Sequence, residues 1–354
     1  MKDKRVAIIC GTRPEVIKLY PVHQDLLNRG FNITLISTGQ QQQLLKETFD
    51  SLNFFPDIDL ALMTVNQSPT KFLTAAMTEI STVLLEKLTD FVIVQGDTLS
   101  AYAGAFSAYL NQIPVGHVEA GLRSHDLSSP WPEEGIRRSI DSISSILWVP
   151  TSGDQIKIET DQRMFVTGNT VVDSLRLIVN KSQEKHLPQN KILVTLHRRE
   201  SFGDTMTSAL RELIKLSLEI PHRIVFIQHP NPNVEISLKE AKLLDSRIEV
   251  IKPIPYVDFI QELRSCDLLI TDSGGLQEES TVLGIPALIL RDKTERNAAI
   301  RKGMSKLSPP NGELLVKDAI EILNQNTKAL APSTSFGDGF ASQRIVDSIV
   351  DFLN

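Results

Sequence analysis

Carboxylates and histidines recur in this chain where apolar runs end. Phe91-Val92-Ile93-Val94 passes into Gln95-Gly96-Asp97-Thr98-Leu99-Ser100, and Pro114-Val115-Gly116-His117-Val118 passes into Glu119-Ala120-Gly121-Leu122-Arg123-Ser124. If both runs are strands of one parallel sheet, Asp97 and Glu119 lie side by side at its carboxyl edge, where open α/β sheets bind ligands. Either acid alone could be a helix cap or loop acid; the two together favour a functional edge. Ser129-Pro130-Trp131-Pro132 leads into Glu133-Glu134 and a helix bearing Arg137, Arg138 and Asp141. Acids in a first helical turn also favour the dipole. His197, after Lys191-Ile192-Leu193-Val194-Thr195-Leu196, is followed by Arg198 and Arg199. Burying three potential cations together is costly, so this cluster belongs to an open edge or a surface basic patch. A second strand-end histidine, His229, opens the Pro/Asn turn His229-Pro230-Asn231-Pro232-Asn233.

Other stretches suit anions. Leu268-Leu269-Ile270 opens into Thr271-Asp272-Ser273-Gly274-Gly275, then a helical stretch from Leu276 to Ser280. Adjacent glycines let backbone approach a ligand, and the free N–H groups and dipole of a helix start attract phosphate; a plain glycine-capped helix start has the same letters. The next apolar run, Ala287-Leu288-Ile289-Leu290, ends in the charged loop Arg291-Asp292-Lys293-Thr294-Glu295-Arg296. The first strand, Val6-Ala7-Ile8-Ile9-Cys10, runs into Gly11-Thr12-Arg13-Pro14-Glu15, with Pro14 in the first turn of a helix. Arg13 then stands at the mouth of the sheet with Lys18 a turn further in. Both could meet phosphate or carboxylate, or be solvated helix-start charges.

Short apolar runs alternating with helix-period segments almost from end to end are the pattern of βα units and parallel sheets. At 354 residues the chain exceeds one ordinary core, so two domains are expected, with a hinge near residues 167–170. Residues 70–88 are helical in period, and the glutamines Gln40 to Gln43 begin a helix continued by Leu44, Leu45, Thr48 and Phe49. Ala341 to Leu353 forms a last helix with Ile345, Ile349, Phe352 and Leu353 on one side. A net charge of −6 gives no general attraction to nucleic acid or anionic membrane. No segment approaches the ~18 apolar residues of a membrane span, so a cytoplasmic protein is expected. Cys10 and Cys266 read as packed thiols, and the seven histidines show no metal-ligand spacing.

Several of these motifs, in order along nearly the whole chain, resemble the non-hydrolysing UDP-N-acetylglucosamine 2-epimerases: Gly11-Thr12-Arg13-Pro14-Glu15 with Lys18, Gly96-Asp97-Thr98, His117 to Arg123, Pro132-Glu133-Glu134, Thr167-Gly168-Asn169-Thr170, His197-Arg198-Arg199-Glu200, Asp272 to Glu279 and Thr294-Glu295-Arg296. The resemblance implies an α/β fold of two Rossmann-like domains facing a cleft, GT-B-like, divided as 1–167 and 168–340, with helix 341–354 crossing back to the first. It implies a cytoplasmic homodimer acting on a UDP-sugar to supply surface polysaccharide synthesis. Asp97, Glu119, Glu133 and His197 are the implied catalytic residues. Arg13, Lys18, His229, Ser273, Gly274, Gly275, Glu279 and Arg296 are the implied nucleotide and diphosphate set. In bacterial members the region of Gln40 and Gln43, with the arginine at the place of Arg198, lines a second site where UDP-GlcNAc activates the enzyme. This chain departs from the family at Gln41, where His is usual, at Ile136, where Asn is usual, and at Asn297-Ala298, where Pro-Glu is usual.

The C2 proton of such a sugar has no neighbouring carbonyl, so a base alone cannot remove it. A nicotinamide could oxidise the sugar, but the first strand lacks the Gly-x-Gly-x-x-Gly fingerprint, and no cofactor is expected. Elimination of the nucleotide is the remaining route, with carboxylates answering charge on the sugar and an N–H-rich cationic seat answering charge on the diphosphate. A hydrolysing 2-epimerase, a 2-epimerase of a modified UDP-sugar, a GT-B glycosyltransferase and a silent nucleotide-sugar sensor stay open as alternatives.

Overall fold

The computed structural model describes residues 3–181, 190–294, 300, 303–325 and 334–354. The chain divides into two compact units, residues 1–181 with 336–354, and residues 182–335. The first is built on strands β1 (Arg5–Cys10), β2 (Asn32–Ser37), β3 (Ile58–Asp59), β4 (Phe91–Gln95), β5 (Val115–Val118), β6 (Ile146–Val149) and β7 (Arg163–Val166). They pair in parallel in the order β3-β2-β1-β4-β5-β6-β7. Its helices include α1 (Arg13–Asn28), α2 (Gln42–Leu52), α3 (Pro69–Glu86), α4 (Leu99–Leu110), α5 (Glu133–Ile143) and α6 (Thr170–Lys181). Val and Ile dominate β1 and β4 because a doubly covered parallel sheet buries both faces of its strands. The small residues of α4 let it settle close to the sheet: a methyl on Gly104 would come within 2.7 Å of Ile9.

The second unit repeats the topology with β8 (Lys191–Thr195), β9 (Arg223–Ile227), β10 (Glu249–Ile251), β11 (Leu268–Thr271), β12 (Ala287–Leu290) and β13 (Ser305–Ser308), ordered β10-β9-β8-β11-β12-β13. Its helices include α7 (Asp204–Glu219), α8 (Pro232–Glu240), α9 (Tyr256–Arg264) and α10 (Gly274–Leu283). In each sheet the chain winds one way, returns to the centre and winds the other. The carboxyl ends of β1 and β4, and of β8 and β11, therefore flank a topological switch point, the place where such sheets bind ligands.

Some elements differ from expectation. Polar Ser305-Lys306-Leu307-Ser308 carries no apolar run, yet pairs with β12 as an edge strand. The Pro/Asn stretch expected as a turn starts α8, where the Asn231 side chain accepts the Asn233 N–H at 2.9 Å and Pro232 takes the first helical position. The expected hinge at 167–170 falls at the head of α6, which belongs to the first unit. There the Ser174 hydroxyl donates to the Ile17 carbonyl at 2.5 Å.

The C-terminal helix Ala341–Leu353 also packs on this unit. Asp173 accepts the N–H and hydroxyl of Ser342, Trp148 donates to Ser348 Oγ at 2.7 Å, and Arg344 donates to the Thr167 carbonyl. Trp148 is fully buried over β5, where a methyl on Gly116 would sit 2.2 Å from its ring. Gly116→Ala is expected to cost about 2 kcal/mol in chemical denaturation through overpacking; an unchanged midpoint would show that the ring yields. Cys10 and Cys266 are free and buried, and burial pushes the Cys266 thiol up to about 12.

Candidate active site

At the carboxyl edge of the first sheet, Gln95 ends β4 directly opposite Val118, which ends β5. Glu119, the next residue, is 8% exposed and has φ 65°, in the left-handed region that residues other than glycine populate sparsely. Its Oε2 accepts from Lys18 Nζ and from Gln95 Nε2, each at 2.5 Å. Lys18, from the second turn of α1, is thus engaged by a carboxylate within the unit. Asp97 lies just beyond β4 with its side chain 28% exposed, and accepts from Arg137 Nε at 3.0 Å and from Arg137 Nη2.

Arg137 stands one turn after Glu133, so α5 brings its N-terminus to the Asp97 turn. Arg137 is itself held by the buried Glu134 at 3.1 Å, which also takes Arg138 Nε and the Ser124 N–H. Burial alone would raise the Glu134 carboxyl, but the Ser124 N–H and the two guanidinium groups hold it below its ordinary value. Glu133 is the first residue of α5, and its Oε2 is a buried oxygen with no hydrogen-bond partner. It is an unsatisfied buried carboxylate oxygen on the helix that Arg137 ties to Asp97. The structure therefore brings Asp97 and Glu119 together across adjacent strands and links α5, which carries Glu133, to Asp97.

Sequence reasoning passed over Glu15. It is fully buried, its Oε2 accepts the Gly11 N–H at 3.0 Å and the Thr12 hydroxyl at 2.8 Å, and its Oε1 accepts the Thr98 hydroxyl at 2.7 Å. It thereby joins the turn after β1 to the turn carrying Asp97. The Thr12-x-x-Glu15 spacing of a capping box was the available signal. Burial pushes its carboxyl up from 4.5 to about 7, partly offset by those hydrogen bonds. With the folded value above the unfolded one, the group's stabilising contribution is complete below about pH 4.5 and is lost as pH rises to about 7. The stability of the wild type relative to Glu15→Gln is accordingly expected to fall by on the order of 3 kcal/mol over that window in denaturant titrations. A pH-independent difference would contradict it.

The glutamine segment serves the same edge. Gln40 Oε1 accepts from the Ser100 hydroxyl at 2.7 Å and the Ser100 N–H, and Gln41 Oε1 accepts the Arg13 N–H at 3.2 Å, covering an N–H at the start of α1. Gln43 is exposed and pairs with Glu47 along α2. The Arg13 side chain is partly exposed at the first position of α1.

In the second unit, Asp272, 1% exposed after β11, accepts the backbone N–H of His197 at 3.0 and 3.1 Å and that of Arg198 at 2.9 Å, with its Oδ1 3.4 Å from His197 Nδ1. The loop after β8 is thereby bound to the turn that opens α10. The His197 ring stacks on His229, centroids 5.2 Å apart and planes at 17°. His229 Nδ1 accepts the Asn231 N–H at 3.2 Å, so this ring can donate only through Nε2. Arg198 Nη1 pairs with Glu200 at 2.5 Å.

Ser273 is the cap residue of α10 without a side-chain capping bond, and Gly274 and Gly275 are its first residues. A methyl on Gly275 would meet no atom within 4 Å, so the helix start is open. Glu279, buried one turn on, accepts the Tyr256 hydroxyl at 2.8 Å. Arg296, also expected here, lies outside the described residues. If this opening takes phosphate, Gly275→Ala raises helix stability by about 0.5–1 kcal/mol yet weakens UDP binding about tenfold. Calorimetry and thermal melts would read the two opposite signs, and unchanged UDP affinity would exclude the opening as the seat.

Two parallel α/β units with charged residues at both switch points define a GT-B-like protein. In keeping with this, the fold is shared with Acinetobacter baumannii MurG, at TM-score 0.62 and 16% identity over 98% of this chain and 99% of that one. A solved UDP-GlcNAc 2-epimerase from Neisseria meningitidis, bound to UDP-GlcNAc, superimposes with TM-score 0.89 at 32% identity, covering 98% of this chain and 100% of that one. The UDP-N-acetylglucosamine 2-epimerase of Campylobacter jejuni is 33% identical over 380 residues, 99% of this chain and 98% of the relative. The family model for UDP-N-acetylglucosamine 2-epimerase matches residues 25–350. The chain belongs to the UDP-N-acetylglucosamine 2-epimerase family, and is an epimerase.

Proposed function

We propose that the chain is a non-hydrolysing epimerase that interconverts UDP-N-acetylglucosamine and UDP-N-acetylmannosamine by eliminating UDP and adding it back. It acts in the cytoplasm as a homodimer and supplies surface polysaccharide synthesis. The observation that most supports the reaction is Glu119, an acid held in unfavourable backbone geometry between Lys18 and Gln95, beside the turn of Asp97. Proteins keep such strain chiefly where a side chain must be aimed.

In the forward direction, one of Asp97, Glu119 and Glu133 takes the C2 proton. The C2–H electron pair becomes a C1–C2 double bond, and the C1–O pair leaves with UDP. A second carboxyl group returns a proton to the opposite face of C2, and the UDP oxygen re-forms its bond to C1. His197 stabilises or protonates the departing phosphate oxygen. His229, Ser273, Gly274, Gly275 and Glu279, with Arg13, Lys18 and Arg296, form the nucleotide and diphosphate set. The N–H groups at the start of α10 answer the negative charge that develops on UDP. Gln40, Gln43 and Arg198 line a regulatory UDP-GlcNAc site.

Phosphorus NMR of the protein with UDP-GlcNAc tests the reading. UDP-ManNAc should appear while free UDP stays at enzyme-stoichiometric levels. Free UDP accumulating with N-acetylmannosamine would make the chain a hydrolysing epimerase instead.

A further inference from the structure

His117 is fully buried in β5, level with Val94 on β4 and Leu147 on β6. Its Nδ1 lies 2.7 Å from Asp141 Oδ1 and its Nε2 2.8 Å from the carbonyl oxygen of Gly96. A carbonyl oxygen only accepts, and so does an ionised carboxylate. Asp141 is also held on its other oxygen by the Arg123 guanidinium and a backbone N–H, partners that suit an ionised carboxylate independently of His117. A neutral imidazole has one N–H and could serve only one of these oxygens, so serving both requires a proton on each ring nitrogen.

The contacts continue on both sides. Asp141 Oδ2 lies 2.6 Å from Arg123 Nη1 and accepts the Gly121 N–H at 3.3 Å. Gly96 and Gly121 are both left-handed, at φ 72° and 83°, and are the pivots of the turn that leads into Asp97 and the turn after Glu119. A methyl on Gly121 would fall 2.1 Å from the Asp154 carbonyl, so that turn has no slack. One line of hydrogen bonds thus runs from the Asp97 turn, through His117 and Asp141, to the Glu119 turn.

We infer that His117 is a positioning residue, an imidazolium that with Asp141 fixes the peptide before Asp97 relative to the loop after Glu119. The inference rests on the reading of Asp97 and Glu119 as reacting carboxylates, whose mutual placement governs the rate. A purely structural ion pair would lower stability when broken and leave turnover by the folded protein intact.

The test combines ring-nitrogen NMR of the wild type with kinetics of His117→Asn, which retains a donor toward Asp141 but none toward Gly96, and of His117→Gln, which retains a donor toward Gly96. Both ring nitrogens of His117 should carry protons at neutral pH. In His117→Asn kcat should fall about a hundredfold, the cost of a small misplacement of reacting groups, with KM for UDP-GlcNAc changed less than about threefold. His117→Gln should retain more of kcat. An unprotonated ring nitrogen in the wild type overturns the inference even if neither variant folds, as does a His117→Asn protein that melts earlier but keeps its kcat. A wild type with both ring nitrogens protonated and no epimerisation would overturn the functional reading, and with it the catalytic part of the inference, while leaving the charged ring established.

Discussion

Glu119→Gln should lower kcat for epimerisation about a thousandfold, within the range for removing a proton-transferring group, while UDP affinity stays unchanged. The substitution is nearly isosteric and keeps an acceptor for Gln95, but it removes both the basicity and the negative charge that faces Lys18. Losing one partner of a buried ion pair destabilises by about 3–5 kcal/mol, so activity must be scaled to the folded fraction. The double substitution Lys18→Met with Glu119→Gln separates the effects, since it removes the cation that the single change leaves behind. It should regain much of the stability and none of the turnover. Recovery of kcat in the double variant would mean that Glu119 serves only to neutralise Lys18.

His197→Ala should lower kcat by about 100- to 1,000-fold, the usual cost of removing a donor aimed at developing negative charge. It should also weaken UDP binding about tenfold, because the ring stacks on His229 beside the loop bound to α10 through Asp272. The thermal midpoint should hardly move, since the His197 side chain is one-third exposed and Asp272 binds the backbone of this loop whatever the side chain. Unchanged kcat with weakened UDP binding would make His197 a binding residue alone. The two single substitutions should therefore differ in kind, Glu119→Gln sparing UDP affinity and His197→Ala reducing it.

The strand-end acids and histidines were legible in the sequence because a parallel strand is a short apolar run, and the residues just past its end must stand at the carboxyl edge of the sheet. Their partners were not legible. Lys18 and Glu119 are separated by 101 residues, and Gln95 reaches Glu119 only because β4 and β5 are neighbours in register. His117 and Asp141 looked like a strand residue and a helix residue, and nothing in their spacing shows that the ring bridges a carboxylate and a carbonyl. Glu15 carried a local signal, the capping-box spacing, but its reach to Thr98 depends on β1 and β4 lying side by side in the sheet. The boundary of the first unit lay beyond residue 170 because α6 and the C-terminal helix are held by Ser174, Asp173 and Trp148, in contacts between residues 157 to 200 positions apart. β13 was invisible because an edge strand can pair through its backbone without an apolar pattern.

Incorporation of solvent deuterium at C2 is the most direct check on the proposed chemistry. With UDP-GlcNAc in D2O and no acceptor sugar present, proton NMR should show UDP-ManNAc formed with deuterium at C2 and no solvent label elsewhere on the ring. UDP-ManNAc that keeps its original C2 hydrogen would contradict elimination and re-addition of UDP.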